Sequence, residues 1–216
     1  PELLITILAT WRTGAIYQPL FTAFESKAIE HRVLTANTKL IVTNAEQRPK
    51  LNHVEVKHIL TVNAGTNLTS NETDFWQEAK QQSNQCEAVL CNFDDDFLMM
   101  FTSGTTGLAK SVPVPLKAVL AFKGYMQHAV DLREDDSFWN LADPGWAYGL
   151  YYGITGPLSL GHSIIMDERT FSVDHAVEVI KKYRVSNLTG SPTAFRMFFG
   201  FKEKFDPSIK TPAPIL

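Results

Sequence analysis

The stretch Phe101-Thr102-Ser103-Gly104-Thr105-Thr106-Gly107-Leu108-Ala109-Lys110 puts four hydroxyls, two glycines and one lysine into ten residues, at the end of the apolar run Phe97 to Phe101. Val112-Pro113-Val114-Pro115 follows almost at once. Proline fixes φ, lacks an N–H and pushes the residue before it towards extended backbone. Two prolines at alternate positions therefore bar a helix and predict extended chain after the loop. The loop has the chemistry of a phosphate cradle at the end of a buried strand. Glycines let backbone amides approach an anion closely. Hydroxyls donate to phosphate oxygens, and a lysine supplies a point charge. This pattern points to a nucleoside triphosphate as ligand.

A P-loop is the first version of that idea to test. It requires G-x-x-x-x-G-K-[ST] and a helix directly after it. Gly104 to Ser111 misses by one residue, because Ala109 stands where the second glycine should be. The helix N-terminus that completes such an anion site is excluded by Pro113 and Pro115. A Ser/Thr/Gly-rich surface loop without a ligand is the other ordinary explanation, since hydroxyls also bond their own backbone.

Phe101 to Lys110 resembles the signature loop of the adenylate-forming superfamily, an aromatic followed by T-S-G-T-T-G-x-P-K-G. Ala109 replaces the usual proline and Ser111 the usual glycine. Ala9 to Leu20, A-T-W-R-T-G-A-I-Y-Q-P-L, is similar to an earlier family motif in which a G-A-x-Y-x-P-L run closes a helix. Asp143-Pro144-Gly145-Trp146-Ala147-Tyr148-Gly149 resembles the segment beside the acyl pocket in acetyl- and medium-chain acyl-CoA synthetases, and Ser191-Pro192-Thr193-Ala194 their later strand-to-helix turn. The order of these motifs fits the middle of the large N-terminal domain of such enzymes.

The resemblance implies an AMP-forming acyl-CoA ligase that uses ATP, Mg2+ and coenzyme A on a short or medium carboxylic acid. It implies phosphate contacts from Thr102, Ser103, Gly104, Thr105, Thr106 and Gly107, a catalytic role for Lys110 on the outgoing pyrophosphate, and an acyl-pocket wall at Trp146, Tyr148 and Gly149. Core packing is the competing explanation for those aromatics. The family's adenine- and magnesium-binding Y-G-x-T-E-like motif, its ribose-binding T-G-D motif and its late catalytic lysine are not found by Leu216. The expectation is a fragment of a longer enzyme, inactive by itself, with no metal ligands of its own. A non-catalytic nucleotide-binding module is the alternative that the departures at Ala109 and Ser111 leave open.

Composition narrows the field further. A net charge of -3 gives no electrostatic reason to bind nucleic acid or an anionic membrane. No apolar run reaches the ~18 residues of a membrane span. Cys86 and Cys91 lack zinc spacing and partners, and are read as structural thiols in a reducing, cytoplasmic compartment. The sequons at Asn67, Asn71 and Asn187 are read as chance triplets. Consecutive carboxylates Asp94 to Asp96 read as a solvated strand entry rather than a magnesium site.

Helical and strand patterns alternate along the chain. Helices are expected at 1–13, at 24–36 with Ala28, Ile29, Val33 and Leu34 on one face, at 74–82 with Asn71 or Thr73 as cap, at 116–132, at 172–183 with Ser172 as cap and Val173, Ala176, Val177, Ile180 and Tyr183 on the buried stripe, and at 193–205, with a loose helix at 145–160. Strands are expected at 39–43, 54–62, 97–101, 138–142, 163–166 and 185–189. Strand–helix alternation predicts a layered α/β sandwich with a largely parallel sheet. Two incomplete subdomains are expected, 1–90 and 91–216, with the boundary in the polar sequence near 84–96.

Overall fold

The computed structural model of the protein describes residues 1–66, 68–102 and 108–200. It divides into two compact units, Pro1–Leu116 and Lys117–Leu216. The division falls 26 residues after the expected one, counting from 90 to 116, and the segment 84–96 lies inside the first unit. The cause is visible in the strand that enters the loop, which bonds to the N-terminal motif: the Tyr17 amide donates to the Phe97 carbonyl, and the Met99 amide to the Tyr17 carbonyl, at 3.0 and 2.9 Å.

In the first unit, α1 (Glu2–Arg12) stops where the sequence says it should. Gly14 takes φ +70°, and a Cβ there would meet Val89 Cγ1 at 2.9 Å. Both the left-handed backbone and the close approach call for glycine. Helix α2 (Ser26–Ala36) ends in the left-handed residue Asn37. Its buried face is Ile29 and Val33, while Leu34, expected beside them, is 58% exposed. The strands β1 (Leu40–Asn44), β2 (His58–Val62) and β3 (Glu72–Asp74) form a parallel sheet in that order. A turn of 3₁₀ helix, Arg48–Leu51, joins the first two. Ile29, Val33, Ile41, Leu51, Val54 and Ile59 close one core over this sheet. Each such side chain contributes about 2 kcal/mol by leaving water.

Helix α3 (Phe75–Gln81) follows β3 directly. Its cap is neither Asn71 nor Thr73 but Asp74, whose carboxylate accepts from the Gln77 amide at 2.8 Å. Beyond it, Cys86 and Cys91 are exposed and unbridged, so neither packs in a core.

The strand β4 (Asp96–Thr102) pairs with β5 (Lys110–Pro115) in an antiparallel hairpin. Backbone is extended through Pro113 and Pro115, and no helix starts at Lys110 or Ser111. The P-loop alternative thereby loses the helix it needs. Among the described residues the other strand pairs are parallel.

The second unit is a parallel α/β layer. Helix α4 (Ala118–His128) leads to β6 (Phe138–Asn140), with α5 (Ala147–Leu150), a π turn at Tyr151–Thr155 and α6 (Gly156–Ser159) after it. Then come β7 (Ile164–Ile165), α7 (Val173–Tyr183), β8 (Asn187–Thr189) and α8 (Pro192–Phe199). The sheet order is β7-β6-β8, parallel throughout. As expected, Ser172 caps α7, accepting from the His175 amide at 3.3 Å. Val173, Ala176, Val177, Val179 and Ile180 are its buried stripe. Tyr183, expected in that stripe, is 48% exposed, and Lys182 Nζ lies 5.0 Å from its ring centroid. The Asn187 sequon is 4% exposed and its amide donates to Val130 O and Asp136 Oδ2, so the side chain is closed to glycosylation. Asn71 spends its amide on the Val56 carbonyl; Asn67 lies outside the described residues. Among the described residues no helix is long and apolar enough to cross a membrane.

A part-buried ion pair ties the turn Arg48–Leu51 to the first sheet. Glu72 accepts from Arg48 Nε at 2.9 Å and from the buried Thr61 hydroxyl at 2.5 Å. Burial alone would raise the Glu72 carboxyl. The hydroxyl, the guanidinium and the Thr69 amide outweigh it and hold the group below its ordinary value. A depressed carboxyl stabilises the fold above its unfolded-state pKa, and that share is lost as pH falls through the folded value. Replacing Glu72 by Gln is expected to cost about 2 kcal/mol at pH 7 by removing the charged acceptor of Arg48 Nε and the Thr61 hydroxyl. The gap between wild type and variant, measured by urea denaturation, should narrow below pH 4.

Candidate functional site

The hairpin of β4 and β5 carries the loop at its tip. Register places Thr102 opposite Lys110 and Phe101 opposite Ser111. The two predicted site residues that flank the loop are thus brought together, both exposed, at the mouth of the hairpin. The predicted contacts at Ser103, Gly104, Thr105, Thr106 and Gly107 lie outside the described residues.

The hairpin base is held from several sides. Phe97 and Leu98 are buried, at 7% and 0% exposure. Tyr17 forms a parallel bridge to Leu98. Trp11 Nε1 donates to the Phe97 carbonyl at 3.1 Å, with ring centroids 5.4 Å apart. The residues of the Ala9 to Leu20 motif therefore brace the strand that enters the loop. At the entry itself, the Asp95 carboxylate accepts from the Asn92 amide at 2.6 Å, and the Asp95 carbonyl from the Leu116 amide at 2.9 Å. That turn chemistry occupies Asp95, the middle residue of the acidic run. Among the described residues no group of three or more His, Cys, Asp or Glu side chains converges on a common point.

The loop end of the hairpin rests on α2. His31 Nε2 lies 2.8 Å from the Ala109 carbonyl oxygen. A carbonyl only accepts, so the contact requires the proton on Nε2. The His31 ring meets Phe101 edge-on at 6.4 Å. The Arg32 guanidinium sits over Phe24 at 4.0 Å and 5.5 Å from the Phe101 centroid. Sequence reading did not single out His31 or Arg32. They stand on an ordinary amphipathic helix, 78 residues from Ala109 in the case of His31, and periodicity carries no signal for such a contact.

The second group of predicted residues is built on the end of β6. Asp143 closes a tight turn: its carboxylate accepts from the Gly145 amide at 2.6 Å and its carbonyl from the Trp146 amide at 3.0 Å. Burial pushes the Asp143 carboxyl up, against the Gly145 amide that pulls it down. Trp146 stands at the N-cap of α5 and is 51% exposed. Tyr148 is half-buried, its ring 5.4 Å from Tyr152, and Tyr152 stacks on Tyr125 at 4.0 Å. The Tyr148 phenol is pushed up to about 12, by burial first and then by the Tyr125 phenol, so it stays protonated and can donate at neutral pH.

Gly149 is required by space. A Cβ there would stand 2.2 Å from the Asp143 carbonyl oxygen. The turn and the helix touch backbone to backbone, and this fixes the directions of Trp146 and Tyr148. The π turn that follows lets Thr155 return a hydrogen bond to the Leu150 carbonyl at 2.9 Å. Such turns re-aim side chains within a helix. The sequence marked this stretch as a loose helix from its glycines and aromatics, without showing where the register changes.

Comparison with known proteins gives these features a context. The family model described as AMP-binding enzyme matches residues 1–212. Acetyl-coenzyme A synthetase of Bacillus subtilis is 32% identical over 93% of this chain and 36% of its own length. That of Xanthomonas axonopodis pv. citri is 31% identical over 96% of this chain and 35% of its own. The chain therefore spans only a minor part of these relatives. A crystal structure of a Brucella canis acyl-CoA synthetase superposes with a TM-score of 0.90 at 50% identity, over 94% of this chain and 38% of that one. An anthranilate CoA ligase in complex with anthranoyl-AMP shares the fold, with a TM-score of 0.82 at 19% identity.

The Gly149 contact yields a direct test. Gly149→Ala forces two backbone segments apart and should cost about 3 kcal/mol. It should also change the near-ultraviolet circular dichroism of the tyrosine cluster before global unfolding in urea. A variant as stable as wild type would show that the turn has room to relax.

Proposed function

Since the chain belongs to the family of AMP-binding enzymes, we propose that the full-length protein is an ATP-dependent acid–thiol ligase acting on a short or medium aliphatic carboxylic acid. The substrate's carboxylate oxygen attacks the α-phosphorus of magnesium–ATP. The bond to the β-phosphate oxygen breaks, and acyl-AMP and pyrophosphate form. The sulfur of coenzyme A, its thiol proton released to solvent, then attacks the acyl carbonyl carbon, and AMP leaves with the bonding electrons.

The observation that carries this reading is the pairing of Thr102 with Lys110 across the base of the Ser/Thr/Gly loop. The hairpin presents a hydroxyl and an ammonium at one mouth. A cation there neutralises charge that develops on the departing pyrophosphate, and stabilisation of that kind acts mainly on the rate. Thr102, Ser103, Gly104, Thr105, Thr106 and Gly107 are proposed to hold the β- and γ-phosphates in line. Trp146, Tyr148 and Gly149 are proposed as the acyl-pocket wall. Magnesium enters as part of the nucleotide substrate, and no ligand for it is assigned to this chain. The reading includes a cytoplasmic location, in keeping with two exposed, unbridged cysteines.

Pyrophosphate exchange into ATP, run with a panel of short and medium acids on the full-length protein, tests the reading. Lys110→Ala should lower the acid-dependent exchange rate about 100-fold and leave the KM for the acid little changed. The 216-residue chain alone is expected to support no exchange. Robust exchange by that chain would overturn the view that the rest of the site lies elsewhere.

A further inference from the structure

We infer that His31 is a positioning residue for Lys110, acting through the Ala109 carbonyl; this rests on the nucleotide-loop reading of Lys110 given above. A two-stranded ribbon is marginal by itself in water, and the first four residues of β5, Lys110 to Pro113, are exposed. The entry end of the hairpin is tied to Tyr17 and Trp11. The loop end has α2. The His31 imidazole reaches the carbonyl immediately before Lys110 at 2.8 Å. That carbonyl belongs to the peptide whose nitrogen is Lys110's own, so the hydrogen bond holds the peptide plane from which the lysine departs.

Ala109 makes such a restraint consequential. A proline there would lock φ at one value, whereas alanine leaves the torsion open just before the lysine. His31 restores from outside the constraint that the local sequence lacks. It does so without being needed for docking α2, whose anchors are Ile29 and Val33, at 6% and 1% exposure. His31 is only half-buried and lies outside that apolar cluster. The contact therefore costs the core little when removed, and its effect should fall on where Lys110 is held.

The test uses the full-length protein with His31→Ala, His31→Gln, Lys110→Ala and the double variant H31A/K110A. Gln keeps an N–H donor at a similar reach. Exchange of pyrophosphate into ATP in H31A should fall about tenfold in kcat, the worth of one hydrogen bond, with the KM for the acid unchanged. H31Q should recover most of it. The double variant should be no slower than K110A, because His31 acts only through the lysine. Backbone hydrogen exchange supplies a readout independent of activity: amides of Lys110 to Val112 should exchange faster in H31A than in wild type or H31Q. Losses that multiply in the double variant, an H31A protein that melts earlier yet reacts at the wild-type rate, or unchanged hydrogen exchange would each overturn the inference. If wild type shows no exchange of pyrophosphate, or K110A equals wild type, the nucleotide-loop reading fails, and the amide rates still decide whether His31 holds the hairpin.

Discussion

Pro113 and Pro115 impose the constraint on which the loop's architecture depends. Neither has an N–H to give, so β5 can occupy only the edge of a sheet. It is paired on one side, to β4, with Met99 opposite Pro113 and Asp96 opposite Pro115. The loop is consequently carried by a hairpin rather than by the strand-to-helix turn of a P-loop. Backbone dipoles at a helix N-terminus are then not the source of positive potential. The groups that the described residues place at the loop's mouth are instead a side-chain ammonium, Lys110, and the Thr102 hydroxyl.

A hairpin of this kind needs outside support, and the first unit provides it from two directions. The Ala9 to Leu20 motif, though far from the loop in sequence, is the brace for β4: Trp11 takes the Phe97 carbonyl and Tyr17 bridges Leu98. Helix α2 covers the other end through His31 and Arg32. Buried Phe97 and Leu98 fix the ribbon's base while Thr102 and Lys110 stay in solvent. That gradient, buried below and polar above, leaves the Thr102 and Lys110 side chains exposed on a packed base.

The second unit solves a different problem with the same means. A parallel sheet ends at Asn140 and Thr189, and short turns leave each strand. Asp143 and Ser191 close these turns by accepting from amides two or three residues on. The Gly149 approach to the Asp143 carbonyl sets the turn against α5 at backbone distance. Aromatic residues then have defined directions on a helix whose register shifts once, at Tyr151–Thr155.

Much of this was legible from residue order. Local rules of periodicity, capping and proline geometry placed α1, α2, α4, α7 and α8 and the strands β1, β4, β6, β7 and β8, because each rule acts within a few residues; β2 begins at His58 rather than at 54, and β3 was not expected. The Ser172 cap and the extended chain through Pro113 and Pro115 are the clearest cases. The same rules put Leu34 and Tyr183 on buried faces, where the tertiary structure leaves them exposed, because exposure depends on where a neighbouring element ends. They offered Asn71 or Thr73 as the cap of α3, which Asp74 fills once β3 has set the start of the helix. By itself the sequence determined the loop's chemistry and that no helix could follow it. The tertiary structure decided that Thr102 faces Lys110, that Tyr17 braces β4 and that His31 reaches Ala109. Those contacts join residues far apart in the chain, and no local pattern records them.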